Sequence, residues 1–388
     1  MSAEQVPERT GGRRYRQLAR AARGPVVELA RTPHRYRITF VFADERLTPR
    51  RVLLICPALP EGIADMHDAG DGTFVLPVEL PAGTRVGYWY SIDPDSGRSA
   101  GQGIAHLLRD LRHRRVDPFN PRLQRSPVAK TFFLTSVLEL PGAVALMGRR
   151  RYGALRHGVA STELAAPGIL SHEVAVTTYL PTQSPQAVVV LVESSGEWGD
   201  PSVLFDDVHA QSDAVPFLGL HVAARSVARR LHDLADADGR FTRFLEEIVG
   251  SAAPDDRVPV VLAGFSAGAK AALATSVRLP ELFARVVLLS GAFHLDQTMN
   301  FTVAPGEPVP LAWLQDAPAL PHRAYLAAGL FEGDGQFGTL SQTLALSAEL
   351  ARRGVDVRTD LGPTGHEFET AAARMAEGLR WLLDPPRD

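Results

Sequence analysis

Residues 258–277, VPVVLAGFSAGAKAALATSV, join an apolar run to a run of helix formers through a single serine set between Gly264 and Gly268. The first half is strand-sized and free of charge, as a strand covered on both faces must be. The second half is rich in alanine, the strongest helix former. A buried strand that turns at once into a helix demands a layered fold in which helices cover a parallel sheet. The flanking sequence obeys the same rule. HEVAVTTYLP, AVVVLVES, PFLGLHV, RVVLLSGAF, RAYLAAG and VDVRTDL read as strands. RFTRFLEEIVGS, LSQTLALSAELARRG and ETAAARMAEGLRWLLD read as helices, with Gly354 just past the end of the second. From about His157 onward the chain is a succession of βαβ units around a mainly parallel sheet.

The front of the chain has another texture. From Arg35 to about Pro94, RYRITFVFA alternates, RVLLICPAL follows, and GTFVLPVELPAGTRVGYWYSIDP reads as two strands joined by a turn at Pro81–Gly83. Four or more short strands so spaced predict a small β-sandwich. The segments expected are an N-terminal extension over 1–34, an all-β domain over 35–121, a connector over 122–155 with SVLELPGA as an ordered island, and an α/β domain over 156–388.

Composition narrows the partners. With a net charge of −3 and 22% charged residues, the chain lacks the basic surface that nucleic acid requires. The N-terminus is polar and basic with no apolar h-region, and no apolar run approaches the roughly 20 residues of a membrane span. A cytoplasmic protein with no membrane partner is expected. One cysteine, Cys56, excludes an internal disulfide and any multi-cysteine metal site. All but two of the 41 Lys and Arg residues are arginine. Codon bias explains that, and so does a polyanionic ligand; composition does not separate the two.

The pentapeptide Gly264-Phe265-Ser266-Ala267-Gly268 is a G-x-S-x-G, a weak signal alone and a strong one at a strand-to-helix junction. There the glycines let the turn close, the Ser266 hydroxyl stands at the sheet's edge, and the Ala267 N–H faces a developing oxyanion. A serine hydroxyl needs a base. In α/β-hydrolases the chain order is serine, acid, histidine, and His366 in GPTGHEFE is the histidine that follows the last predicted strand and precedes the last helix. RAYLAAGLFEGDG offers two acids, Glu332 and Asp334; Glu332 is nearer the strand end, 34 residues before His366. The second oxyanion donor is expected from SSGEWGD, where Gly196 permits close approach and the N–H belongs to Glu197 or Trp198. Trp198 reads equally well as a core aromatic.

With these residues in place, the chain from about Arg35 resembles the enterochelin (enterobactin) esterases of the esterase-D-like α/β-hydrolases. DPFNP (117–121) is similar to the family's D-P-L-N-P, GFSAGAKAALATSVRLPELFARVVLLSGAF (264–293) to its nucleophile block, AAGLFE (327–332) to its acid segment and TGHEF (364–368) to its G-G-H-D. RRLHDL (229–234) resembles R-x-x-E-L. The resemblance implies an α/β-hydrolase catalytic domain behind a small all-β, immunoglobulin-like sandwich. It places the acid at Glu332 and puts Arg230 beside the substrate; Phe293 and His294, which stand where relatives carry an aromatic run, are expected to bind the substrate as well. It implies no resident cofactor and no metal of the protein's own. The partner is a small molecule, a catecholate trilactone siderophore whose esters are hydrolysed, with any iron arriving as cargo. Several positions depart from the family: Ser195-Gly196-Glu197 for D-G-E, Asp233 for glutamate in R-x-x-E-L, Ala292-Phe293-His294 in place of an aromatic run, and Thr364 for glycine. The departures lie around the pocket, so another ester, transfer of the acyl group to an alcohol, and a binding protein without catalysis stand as alternatives. Oligomeric state is open.

Overall fold

The computed structural model describes residues 11–94, 113–128, 131–144, 155–165, 168–170, 172–192, 201–211, 215–224, 233–234, 236, 238–253, 255, 257–293, 314, 317, 319–333 and 338–383. They form two compact units. The first comprises Met1–Val144, Leu330–Gln336 and Gly362–Glu367; the second comprises Ala145–Gly329, Phe337–Leu361 and Phe368–Asp388.

The first unit opens with helix α1 (Gly12–Ala22) and strand β1 (Val26–Leu29). β2 (Arg35–Phe42), β3 (Val52–Ile55), β4 (Ile63–Asp65), β5 (His67–Asp68), β6 (Phe74–Pro81) and β7 (Arg85–Ile92) follow. β8 (Arg114–Arg115), β9 (Leu123–Val128) and β10 (Thr131–Glu139) complete it. One sheet has the order β1-β2-β6-β5; the other runs β4-β3-β7-β10-β9 with β8 against β7. The turn at Pro81–Gly83 therefore carries the chain from one sheet to the other, and Gly83 supplies its positive φ of 78°. Alternate residues of the strands fill one shared core: Ile38, Phe40 and Phe42 of β2, Phe74 and Leu76 of β6, Val86, Tyr88 and Tyr90 of β7. Trp89 points the other way and packs with Leu53, Ile55 and Ile63, so β7 is buried on both faces.

DPFNP locks this unit by hydrogen bonds. The Asp117 carboxylate accepts from the Tyr88 hydroxyl at 2.6 Å and the Phe119 N–H at 2.8 Å. Asn120 donates to the Tyr88 oxygen at 3.0 Å and to the Val137 carbonyl at 2.9 Å. Burial raises Asp117 to about 6 against these bonds.

Two expected boundaries are corrected. Residues 122–155 are not a connector up to Val144: β9 and β10 pair with each other, and β10 pairs with β7. Pro127 and the neighbouring Arg125 hide β9 from a sequence reading, and proline is tolerated there because the strand lies at the sheet's edge. Within the expected N-terminal extension over 1–34, the described residues include β1, which pairs with β2 from Val26↔Thr39 to Leu29↔Tyr36 and so belongs to the first unit's sheet.

The second unit holds β11 (Gly158–Ala165), β12 (Val174–Pro181), β13 (Ala187–Val192), α2 (Pro201–His209), β14 (Phe217–Ala224) and α3 (Arg240–Ala252). β15 (Val260–Phe265), α4 (Ala267–Arg278), β16 (Arg285–Leu289) and β17 (Arg323–Gly329) come next, then α5 (Thr339–Arg352), β18 (Asp356–Gly362) and α6 (Phe368–Leu383). The eight strands order as β11-β12-β14-β13-β15-β16-β17-β18. β11 and β14 flank β12 antiparallel, and β14 through β17 run parallel. Val188, Val190, Leu262, Val286 and Leu288 face α3, α4 and α5 on one side. Val189, Leu191, Val261, Ala263 and Val287 face α2 and α6 on the other. Two covered faces explain the uninterrupted apolar runs. No described helix is long and apolar enough to cross a membrane.

Candidate active site

Ser266 sits one residue beyond β15 and one before α4, with φ 55° and ψ −120°. A side chain rarely accepts positive φ, so the position stores strain on the order of 1–3 kcal/mol that its surroundings must hold in place. They do so through the backbone. The Ser266 N–H donates to the Leu289 carbonyl at 2.9 Å, and its own carbonyl accepts from Ala292 N–H at 3.0 Å and Ala269 N–H at 3.1 Å. Gly264 is required by close approach: a Cβ there would lie 2.3 Å from the carbonyl carbon and oxygen of Gly268. Strand and helix thus meet with no room for a side chain, which is what a sharp nucleophile turn needs. Ala267 opens α4, where the first N–H groups of a helix have no intrahelical acceptor and suit a developing anion.

The acid and the histidine come together through their loops. β17 ends at Gly329 and β18 at Gly362, and the two strands are neighbours. Beyond them Leu330 N–H donates to Gly362 O at 2.8 Å and Phe331 N–H to Thr364 O at 3.1 Å. That pairing brings Glu332 to His366, 34 residues later, with His366 Nδ1 2.8 Å from Glu332 Oε2. Glu332 has no exposed side-chain surface, whereas His366 keeps 23% of its own. An ionised carboxylate only accepts, so Nδ1 carries the proton and Nε2 is the basic nitrogen. A buried carboxylate so placed fixes the tautomer and favours the imidazolium when it forms.

Of the residues expected from sequence, Ser266, Ala267, Glu332 and His366 are described, and the structure joins His366 to Glu332. Phe293 is corrected. Its side chain is 3% exposed and belongs to the core, its ring filling the space beside Gly291, so it has almost no surface to offer a substrate. Glu197, Trp198, Arg230, His294 and Asp334 lie outside the described residues. Asp233, the departure in R-x-x-E-L, lies 2.8 Å from His172 Nε2, and both are buried. Cys56 is buried, and burial pushes its thiol up to about 12, so it holds no thiolate at neutral pH. Sequence reasoning missed Phe331, which packs on the first unit's core just before the acid, and Glu367, beside the histidine. Their partners lie hundreds of positions away, and nothing local signals them.

No family model matches the chain, and no curated protein matches it either. Solved structures do. The enterobactin esterase of Shigella flexneri, crystallised in the presence of 2,3-dihydroxy-N-benzoyl-serine, aligns with TM-score 0.70 at 20% identity, covering 96% of this chain and 98% of that one. The same enzyme in the presence of enterobactin gives TM-score 0.72 at 20% identity over 93% and 96%. The ferric enterobactin esterase of Salmonella typhimurium gives 0.73 at 19% identity over 93% and 96%. The likeness spans both compact units and is one of fold.

Proposed function

We propose that this chain is a serine esterase in which Ser266, His366 and Glu332 form the catalytic triad. The observation that carries the reading is the His366–Glu332 pair, held by hydrogen-bonded loops that follow two neighbouring strands of the sheet whose β15 delivers Ser266. The order serine, acid, histidine, each after a strand of one sheet, is that of acyl-transfer enzymes built on this plan. In the proposed reaction, His366 Nε2 takes the Ser266 proton as Oγ attacks an ester carbonyl. The Ala267 N–H and the N–H of Glu197 or Trp198 hold the oxyanion. The imidazolium, stabilised by Glu332, then protonates the departing alkoxide, and water activated by the same histidine releases the acid.

For the substrate we propose a catecholate trilactone siderophore, opened ester by ester, with no resident cofactor and with iron as cargo. Three things support this: the family motifs quoted from the sequence, the fold shared end to end with enterobactin esterases, and the two-sheet N-terminal unit, which fits the immunoglobulin-like sandwich that the resemblance implies. Arg230 would meet the substrate's negative charge. The departures from the family motifs at Ser195-Gly196-Glu197, Ala292-Phe293-His294 and Thr364 favour a second reading, an esterase or acyltransferase for another ester. One panel tests both: apo and ferric catecholate trilactones beside simple aryl esters, with and without added alcohol, products weighed by mass spectrometry. Linear dihydroxybenzoyl-serine products support the proposal. Turnover of aryl esters alone supports the second reading, and transfer to alcohol makes it an acyltransferase.

A further inference from the structure

On one side of β7, β10 covers Arg85 to Tyr88. On the other side β3 covers only Trp89 to Ile92, because β3 ends at Ile55 and the chain turns off through Cys56 and Pro57. The N–H groups of Arg85 and Gly87 on that side are left without a strand, and buried N–H groups need acceptors. The histidine loop supplies them. Pro363 O accepts from Arg85 N–H at 3.1 Å, and Thr364 forms a parallel bridge with Arg85. The last acceptor is a side chain: Glu367 Oε1 takes the Gly87 N–H at 2.7 Å. The other oxygen, Oε2, takes the Gly365 N–H at 2.9 Å.

We propose that Glu367 is a positioning residue, a carboxylate clamp that closes the loop around His366 and ties it to the open edge of β7. Gly365 and Glu367 flank His366, so one carboxylate binding both Gly365 and Gly87 fixes the backbone on either side of the imidazole. Packing tightens the same loop, since a Cβ on Gly365 would come within 3.1 Å of Pro57 Cβ. Charge-assisted hydrogen bonds to backbone N–H are short and strong, which suits a fixture more than a solvated surface glutamate. The first unit thus helps hold the histidine that the esterase reading makes the base, and the catalytic consequence rests on that reading.

The test compares Glu367→Ala and Glu367→Gln with the intact chain, using 4-nitrophenyl butyrate turnover, thermal midpoint, and the low-field Nδ1–H proton resonance of His366. That resonance is assigned by its loss in His366→Ala. The alanine variant should lose about 30- to 100-fold in kcat, the scale of a base displaced by about 1 Å. KM should stay within about twofold, and the His366 resonance should broaden or vanish. Glutamine keeps one acceptor oxygen and should lose less, with the resonance partly retained. A folded alanine variant with wild-type kcat and an intact resonance overturns the clamp, as does a fall in kcat with the resonance unmoved. If the alanine variant does not fold, the near-isosteric glutamine variant decides by the same criteria. Wild-type turnover by His366→Ala would sink the esterase reading instead, and the resonance would still judge the clamp.

Discussion

Ser266 is held at positive φ by bonds to its backbone, so the hydroxyl itself is not needed for the turn. Ser266→Ala should therefore fold with an unchanged thermal midpoint while losing up to about 10⁶-fold in kcat, the scale of a lost triad nucleophile. Glu332 is the buried partner of His366. Replacing it with glutamine leaves an amide that neither fixes the tautomer nor balances the imidazolium, and kcat should fall by about 10²–10⁴-fold. Asp334→Asn should stay near wild type; the reverse ranking in steady-state kinetics would move the acid to Asp334. Gly264→Ala tests the turn. Its new Cβ would press on the Gly268 backbone, which cannot swing aside as a side chain can. A loss of at least about 1–3 kcal/mol is expected in urea unfolding, typical of overpacking against rigid neighbours.

Elements carry the next scale. Burial raises Asp117 from 3.8 to about 6 in the folded protein. The unfolded chain therefore ionises first as pH rises. The stability that the neutral carboxyl contributes is complete below about pH 4 and is lost as pH climbs through 6. Urea unfolding between pH 4 and 7 should show wild type losing on the order of 2–3 kcal/mol relative to Asp117→Asn, whose amide does not titrate. A constant difference across that range would contradict the burial argument. The same balance of burial and polarity decides which elements the sequence revealed. β13, β15, β16 and β17 are covered on both faces, so their apolar runs stood out. β9 contains Pro127, and β11 carries exposed residues at its middle positions, so neither has a readable period. Ser266 and His366 were legible because strand ends and loop residues around them are local signals. The Glu367 contact with Gly87 spans 280 positions and has none.

At the scale of the molecule, the division into two compact units assigns the acid and histidine loops to the first unit, although both follow strands of the second unit's sheet. An N-terminal unit read from sequence as a separate module is thus also the scaffold for two residues of the proposed triad. The central claim is that Ser266 is a nucleophile activated by His366. Its most direct test is reaction of the intact protein with a fluorophosphonate, followed by intact mass and peptide mapping. The account predicts one phosphonyl group per chain, on Ser266, with labelling abolished in Ser266→Ala and slowed by orders of magnitude in His366→Ala. An unmodified Ser266, or equal labelling of the Ser266→Ala protein, would contradict it.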